Sequence, residues 1–302
     1  MDTLVDNLGS RLTKTALGIG LVIILFLPAL IRLYACACSD LYSHIFLIPV
    51  ISGYLIFHDR RRLPRPVAAS PALAGVLLLI ALTAAAAGIM GPRMVADAAP
   101  REFLPISVFA FVTAVIGIVA VFLGKSACRT FMFPLFFLYF MVPLPSALLD
   151  GLVAFLRDAT AAVTFGMLQL AGTPVFKEGL ILCLPGLTLE VADACSGIRS
   201  TLVLLITAFL AGHMLLRTSS RRILLILAVI PLGILRNSFR ILVLALLTTR
   251  WDPNIIHGPL HHSGGPVFFV LSLLVFLAIL LLLRKSERQR VTNGVRTPGG
   301  VS

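Results

Sequence analysis

Long apolar runs recur along nearly the whole chain and decide what it can fold into. Of the 302 residues, 59% are hydrophobic and 13% are charged, and the mean hydropathy is +1.02. A run of about 20 apolar residues is what an α-helix needs to cross a bilayer core of about 30 Å. No water-soluble domain requires this much apolar surface. The sequence therefore predicts an all-α fold, a polytopic bundle of transmembrane helices.

The apolar runs predict about eight spans. We place them at residues 17–34, 42–57, 72–90, 103–123, 131–149, 198–216, 223–248 and 267–283. Together they make one integral membrane domain, residues 1–284. The polar residues after it, 285–302, have the composition of a disordered tail.

Basic residues lie between the apolar runs and indicate how the spans are oriented. With a cytoplasmic N-terminus, the inner segments carry most of the Lys and Arg, whereas the outer segments are as acidic as they are basic. The positive-inside rule then predicts a cytoplasmic N-terminus and a cytoplasmic C-terminus. The net charge of +12 is explained by this orientation. No continuous basic stripe points to nucleic acid as a partner.

One region departs from the simple pattern of spans. Residues 150–172 are moderately apolar but carry Arg157, Asp158, Thr160, Thr164 and Gln169. We interpret them as an amphipathic helix on the outer surface or at the interface. Residues 173–191 mix prolines and glycines with β-branched residues, which predicts a short hairpin or extended segment in this outer insertion.

The outer start of the sixth span carries a cysteine between polar neighbours. Residues 192–200 read Ala-Asp-Ala-Cys-Ser-Gly-Ile-Arg-Ser. The N–H groups and dipole of a helix N-terminus stabilise a thiolate, so the position suits Cys195 as a nucleophile. Ser196 can cap the helix, Gly197 lets another backbone approach closely, and Arg199 adds positive charge. The alternative is that Cys195 simply packs, as most free cysteines do.

The seventh span carries arginines near its outer end. Arg240 lies about 26 Å beyond the inner pair Arg221 and Arg222, at 1.5 Å per residue. Its spacing from Arg236 and Asn237 puts the three on one helix face. An ionisable residue inside a span indicates function. The alternative is that these arginines extend to lipid headgroups.

The last outer loop is rich in histidine. Residues 257–265 read His-Gly-Pro-Leu-His-His-Ser-Gly-Gly. The spacing is not that of a helical metal site and carboxylates are scarce, so we predict no metal and no cofactor. An imidazole that titrates near neutral pH suits proton transfer. His44 stands at another outer helix start.

Three further cysteines belong to the predicted outer side. One alternative is that Cys36 and Cys38 form a disulfide with each other or with Cys183. The other is that they stay reduced and packed. The sequence does not decide between these states.

These motifs resemble the signatures of the exosortase/archaeosortase family. The resemblance extends from about Asp40 to Leu283. Its main residues are 191–200, Asn237 to Arg240, and His261 with Gly265 and Phe269; residues 40–44 ahead of Pro49, 133–135, 142–145 and 172–175 support it.

The resemblance implies a membrane-embedded cysteine transpeptidase in the cell inner membrane, with its active site on the outer face. Its partners would be exported proteins that end in a short Pro-Glu-Pro-type motif, a transmembrane helix and a basic tail, besides membrane lipid. Cys195 would be the nucleophile, Arg240 the oxyanion or substrate-orienting group, and His261 the proton-transfer residue. His257 and His262 are rivals for that last role. Supporting positions would be Asn237, Arg199, Ser196, Gly197, His44 and His262.

Two alternatives remain open. One is a transporter or polysaccharide-export component, in which Arg236 and Arg240 bind an anionic substrate and the histidines relay protons. The other keeps the enzyme class but uses Ser196 or Ser263 as the nucleophile. Substitution of Cys195 by Ala discriminates, because a transporter usually tolerates it.

Overall fold

The computed structural model describes residues 2–38, 41–62, 70–94, 100–192, 196–251 and 265–295. In chain order the helices are α1 (Asp2–Leu25), α2 (Leu27–Ala37), α3 (Leu47–Asp59), α4 (Pro71–Met94), α5 (Leu104–Thr130), α6 (Met132–Phe137), α7 (Ser146–Leu170), α8 (Ile198–Leu215), α9 (Ser219–Arg250) and α10 (Gly265–Val295). Three short strands lie between α7 and α8: β1 (Phe176–Glu178), β2 (Ile181–Leu184) and β3 (Leu187–Glu190). The predicted all-α class is confirmed.

Within these ranges, six helices are long and apolar enough to cross a membrane, namely α4, α5, α7, α8, α9 and α10. The bent pair α1 and α2 would make a seventh. The chain is a multi-pass membrane protein. The predicted count of about eight spans is not reproduced in the described residues, because the predictions at 17–34, 42–57 and 131–149 differ from the structure.

The first predicted span is divided between α1 and α2. The two helices meet at Phe26 and bend by 74°. Pro28 stands in the first turn of α2. A proline cannot donate the hydrogen bond that would continue the preceding helix, and its ring clashes with the carbonyl four residues earlier. Hydropathy alone did not reveal this break.

Short helices replace the second and fifth predicted spans. α3 has 13 residues, fewer than the roughly 20 that a crossing helix needs. α6 has six residues, and a 3-10 helix at Leu138–Met141 leads from it into non-helical backbone as far as Pro145. Pro143 and Pro145 force the residues before them toward extended conformations. The predicted span at 131–149 was therefore wrong as one helix.

The chain divides into two compact units, Met1–Ser146 and Ala147–Ser302. In the first unit α5 packs against both α1 and α4. A Cβ on Gly117 of α5 would stand 2.8 Å from the side chain of Leu78 on α4, and one on Gly18 of α1 would stand 2.8 Å from Ile118. These glycines let α5 approach both neighbours closely, which makes it the central helix of the unit.

Residues 150–172 are predicted from the sequence to form an amphipathic helix on the outer surface or packed at the interface. In the structure residues 150–170 belong to α7, a 25-residue helix that qualifies as a candidate span. Its threonines Thr160 and Thr164 are fully buried. They share a buried face with Leu156 and Leu168, because residues four apart lie one above the other on a helix. The polar residues thus mark the packed face of α7.

Contacts within the second unit give the direction of α7. The Thr160 carbonyl accepts a hydrogen bond from the Ser238 hydroxyl (3.2 Å), and the Ala171 carbonyl accepts one from Arg250 (3.3 Å). The contact later in α7 is therefore also the contact later in α9. α7 and α9 therefore run parallel.

α8 and α10 run antiparallel to α9. Gly197 at the start of α8 contacts Arg236, whereas Leu216 just after α8 contacts Arg222. Phe268 near the start of α10 lies against Phe239 of α9, whereas Leu283 and Ser286 near its end contact Arg221.

The second unit consequently has two distinct ends. We call the "hairpin end" the one where α7 and α9 finish and α8 and α10 begin. We call the "basic end" the one where α8 and α10 finish and α9 begins. The basic end carries Arg217, Arg221, Arg222, Arg284, Lys285 and Arg288. The positive-inside rule predicts that this end is cytoplasmic.

The predicted short hairpin is confirmed as a three-stranded antiparallel sheet, in the order β1-β2-β3. Leu182 and Leu184 of β2 are buried and alternate with more exposed residues, the period expected of a strand. They pack in one cluster with Leu168 of α7 and Ala245 of α9. The sheet therefore rests on the last turns of those two helices.

α10 continues past the predicted end of the membrane domain. The tail predicted to be disordered from Lys285 is helical as far as Val295. Within it the Glu287 carboxylate accepts hydrogen bonds from the backbone N–H groups of Arg217 (3.0 Å) and Thr218 (2.7 Å), and from the Thr218 hydroxyl. Glu287 therefore caps the start of α9 from a different helix.

Candidate active site

Ser196 is the first residue after Cys195 that the structure describes. Cys195, with Asp193 and Ala194, lies outside the described residues. Ser196 is only 2% exposed, and its Oγ accepts a hydrogen bond from the backbone N–H of Ile198 (3.4 Å). The residue that follows Cys195 is thus buried just before α8 begins.

The backbone of Gly197 is fixed by several hydrogen bonds. Its φ of +73° lies in the left-handed region, which favours glycine. Its carbonyl accepts hydrogen bonds from the N–H of Thr201 (3.1 Å) and from the hydroxyls of Ser200 (3.1 Å) and Thr201 (2.9 Å). The Arg236 Nη2 donates a further one from α9 (3.3 Å). Two helices therefore fix the backbone two residues after Cys195.

The sequence predicts that another backbone approaches Gly197, but the groups that lie closest to it are side chains of α9. A Cβ on Gly197 would stand 2.9 Å from Arg236 Nη2 and 3.2 Å from Asn237 Cγ. One turn earlier on α9, a Cβ on Gly233 would stand 2.6 Å from the Thr201 hydroxyl. Glycine on both helices is what allows α8 and α9 to meet here.

Asn237 and Ser238 connect this contact to α7. Asn237 is 3% exposed, and its Nδ2 lies 3.5 Å from Thr160 Oγ1. Ser238, fully buried, donates to the Thr160 carbonyl. The interpretation of residues 150–172 as an amphipathic helix, on the outer surface or packed at the interface, gave no partner for Thr160. The four-residue spacing of Thr160 and Thr164 was the signal that would have found a packed polar face.

Arg236 and Arg240 stand one turn apart on α9, and both are half-buried. The Arg236 Nη1 is buried and has no hydrogen-bond partner in the described part of the chain. Arg236 also forms no ion pair with a described carboxylate. Positive charge is therefore concentrated beside Gly197, where a carbonyl or an anionic group would be attracted.

The start of α10 reaches the same level of the unit. The ring centroids of Phe239 and Phe268 are 6.2 Å apart, in an edge-to-face arrangement. Phe239 immediately precedes Arg240, so the first turn of α10 lies beside that part of α9. The loop histidines fall in residues 252–264, outside the described ranges: His257, His261 and His262.

Two other predicted supporting positions, Arg199 and His44, lie within the described residues. Arg199 is exposed in the first turn of α8. His44 belongs to the first unit, in a 3-10 helix at Ser43–Phe46, with its ring 6.3 Å from that of Tyr42. Burial lowers the pKa of His44 below its usual value, against a smaller opposing effect of the Leu41 backbone. A His44 side chain in this environment favours the neutral form.

The three cysteines that the sequence predicts on the outer side are not cross-linked. Cys36, Cys38 and Cys183 form no disulfide among the described residues, and neither does Cys128. Of the two states that the sequence left open, the structure contains the reduced one.

Comparison with known proteins identifies the family. The family model described as transmembrane exosortase (Exosortase_EpsH) matches residues 15–278, most of the chain. No curated protein and no solved structure matches the chain. Members of this family are membrane transpeptidases that act on the sorting signals of exported proteins. By the extent of this match, the chain belongs to the transmembrane exosortase family.

Proposed function

We propose that the protein is a cysteine transpeptidase that removes the C-terminal sorting signal of exported proteins through a thioester at Cys195. The signal is a short Pro-Glu-Pro-type motif followed by a transmembrane helix and a basic tail. The active site lies on the outer face of the inner membrane. One observation carries the proposal: Gly197 is anchored to Arg236 and Asn237 on α9.

Chain connectivity extends that observation to the proposed catalytic groups. An extended chain covers at most about 3.6 Å per residue, so Cys195 lies within about 7 Å of Gly197. Arg240 is one helical turn beyond Arg236. His261 is four residues before Gly265, at the start of the helix that packs on Phe239. These short connections support a site at one end of the second unit, as the proposal requires.

The proposed chemistry follows from the groups themselves. The Cys195 thiolate attacks the scissile carbonyl carbon, and the Arg240 guanidinium stabilises the oxyanion that forms. Collapse of this intermediate breaks the C–N bond, and the His261 imidazolium protonates the departing amine. The product is a thioester on Cys195. An acceptor amine or water then attacks the thioester and releases the thiol.

The predicted orientation suits a substrate that is itself anchored in the membrane. The basic end is predicted to be cytoplasmic, so the hairpin end faces outward. A substrate whose own helix crosses the bilayer, with its basic tail inside, would present the preceding motif at this outer level. Enzyme and substrate would then meet in the same orientation.

The proposal is tested by co-expressing the enzyme with a reporter that ends in a Pro-Glu-Pro motif, an apolar helix and an Arg-rich tail. Mass spectrometry of the reporter's C-terminus reads the cleavage site and any added acceptor. We expect wild-type enzyme to remove the tail and Cys195→Ala to leave it intact.

Cys38→Ala is the matched control, because Cys38 is an exposed free cysteine elsewhere in the chain. It should cleave like wild type. Equal tail removal by wild type and Cys195→Ala would reject the cysteine mechanism and leave a Ser196 or Ser263 nucleophile. Retention of the tail with every enzyme would reject this substrate motif.

A further inference from the structure

A cavity of about 540 Å³ lies at the basic end of the second unit, at the opposite end of α8 and α9 from the candidate active site. It is bordered by the last turn of α8, the start of α9 and the end of α10. Ligand-binding cavities commonly measure about 300–1,000 Å³. Its polar lining consists of four arginines, one histidine and one carboxylate: Arg217, Arg222, Arg284, Arg288, His213 and Glu287.

The carboxylate is already engaged. Both Glu287 oxygens accept hydrogen bonds from the α8–α9 connection, at Arg217 and Thr218, and the residue is 8% exposed. A carboxylate that caps backbone N–H groups has little capacity left to pair with guanidinium groups. The cavity therefore keeps an excess of positive charge.

The side chains of two of these arginines are not engaged by other described residues. The guanidinium groups of Arg217 and Arg284 take part in no hydrogen bond or ion pair within the described ranges. Arg222, by contrast, donates to the Leu216 carbonyl at 2.9 Å. Arg217 and Arg284 reach the cavity from different elements, the α8–α9 connection and α10. Both guanidinium groups are therefore available to an anion that enters the cavity.

The cavity also has an apolar wall. Met214 and Leu215, in the last turn of α8, line it and are 58% and 39% exposed. A site that combines guanidinium groups with exposed apolar side chains at the end of a span matches the two parts of an anionic lipid. A free anion would use the arginines but not Met214 and Leu215.

We propose that this cavity binds a phosphate-bearing anion, supplied by the headgroup of an anionic phospholipid in the leaflet at the basic end. The phosphodiester accepts hydrogen bonds from Arg217 and Arg284, and the first part of an acyl chain lies along Met214 and Leu215. Guanidinium groups suit phosphate because their donors match its oxygens in pairs. The basic tail of a sorting signal would be repelled from this cavity.

The test is native mass spectrometry of the purified full-length protein in detergent, titrated with phosphatidylglycerol or with phosphatidylcholine of the same acyl chains. We expect selective retention of phosphatidylglycerol. Each interfacial basic residue contributes about 1 kcal/mol of attraction to anionic lipid, roughly a fivefold change in affinity. The double variant R217Q/R284Q should therefore bind phosphatidylglycerol about 25-fold more weakly.

Two further variants separate the site from general charge. K285Q removes one positive charge from the same end at an exposed residue that does not line the cavity. It should lose no more than about fivefold in affinity, well short of the loss in the double variant. R217K/R284K keeps the charge and should retain most of the binding. An unchanged melting temperature in all variants shows that lost binding is not lost folding.

Three results would overturn the proposal. Equal loss of lipid in K285Q and R217Q/R284Q would show a diffuse electrostatic surface. Equal retention of phosphatidylcholine would remove the requirement for an anionic headgroup. Displacement of the lipid by millimolar inorganic phosphate would assign the cavity to a free anion. None of these outcomes bears on cleavage at Cys195, because the cavity and the candidate active site are at opposite ends of the unit.

Discussion

The two ends of α8 are held by charged side chains of opposite sign, and the two arrangements differ in what they leave unused. At the basic end, Glu287 accepts three hydrogen bonds from the residues that precede α9. At the hairpin end, Arg236 donates one hydrogen bond of 3.3 Å to Gly197, and its buried Nη1 has no partner among the described residues. The first contact uses both oxygens of the carboxylate to fix the connection between α8 and α9. In the second contact, Arg236 keeps an unused N–H donor beside the cysteine motif.

This difference indicates a division of labour. Substitutions near Glu287 should lower stability without changing the chemistry of each folded molecule. Substitutions near Gly197 and Arg236 should change the reaction rate by more than they change stability. The predictions that follow test this division in order of decreasing effect.

The largest expected effect is at Arg240. Arg240→Gln removes the proposed oxyanion donor, and loss of one such donor costs about 10²–10³ in rate, or about 2.7–4 kcal/mol. The rate of reporter-tail removal measures it, with the melting temperature as the check on folding. Arg250→Gln is the control, since Arg250 is an exposed arginine on the same helix. Similar rate losses in both variants would show that Arg240 acts only through bulk charge.

The next effect is at Gly197. Gly197→Ala places a Cβ 2.9 Å from Arg236 Nη2 at a φ of +73°. Left-handed strain costs about 1–2 kcal/mol and overpacking about 1–3 kcal/mol more. Thermal unfolding and the cleavage rate are the measurements.

Gly186→Ala is its matched control, because Gly186 has a φ of +77° but nothing within 4 Å of the added Cβ. It should show the strain alone and cleave at the wild-type rate. If the two variants lose equal stability and both cleave normally, the contact between Gly197 and Arg236 has no role in the site.

Glu287 should affect stability alone. Glu287→Gln replaces the carboxylate that caps α9 with a neutral amide of similar shape. Hydrogen bonds to charged groups contribute about 1.5–3 kcal/mol, so we expect a loss of about 2 kcal/mol in the free energy of unfolding. Denaturant unfolding in detergent measures it. Glu190→Gln, at an exposed glutamate of β3, is the control and should leave the free energy of unfolding unchanged. A fall in cleavage per folded Glu287→Gln molecule would contradict the division of labour.

The smallest effect compares two buried threonines of α7. Thr160→Val removes a hydroxyl that lies 3.5 Å from Asn237 Nδ2, and the loss of one hydrogen bond costs about 1 kcal/mol. Thr164→Val removes a hydroxyl that has no hydrogen-bond partner in the described residues, so it should be neutral or stabilising. The melting temperatures of the two variants decide. A larger loss at Thr164 would mean that Thr160 does not anchor Asn237.

The sequence predicted the spans well where an apolar run is uninterrupted. α4, α5, α8, α9 and α10 each coincide with a predicted span, because length and hydropathy are sufficient criteria for such runs. They are insufficient where the backbone itself breaks a helix. Pro28 bends the first run, and Pro143 with Pro145 ends the fifth, although hydropathy is high on both sides.

The candidate site was predictable in part. The sequence predicts Cys195 at the outer start of the sixth span and Arg240 near the outer end of the seventh, so the two motifs should lie at similar depth. The contact of Gly197 with Arg236 and Asn237 agrees with this expectation. The roles of Cys195, Arg240 and His261 remain predictions. Thr160 and Glu287 were missed because each acts on residues about 70 or more positions away. Such contacts depend on the direction in which α7 runs and on how far α10 continues.

The Glu287 cap also has a consequence for biosynthesis. Only Leu216, Arg217 and Thr218 separate α8 from α9, so these two helices are expected to enter the bilayer together as a helical hairpin. Their connection is completed by a carboxylate synthesised 69 residues after Thr218. At about 5–20 residues per second, the ribosome needs several seconds to reach it. During that interval the N–H groups of Arg217 and Thr218 depend on water or lipid headgroups. A nascent chain that stalls before α10 never acquires the carboxylate that binds them.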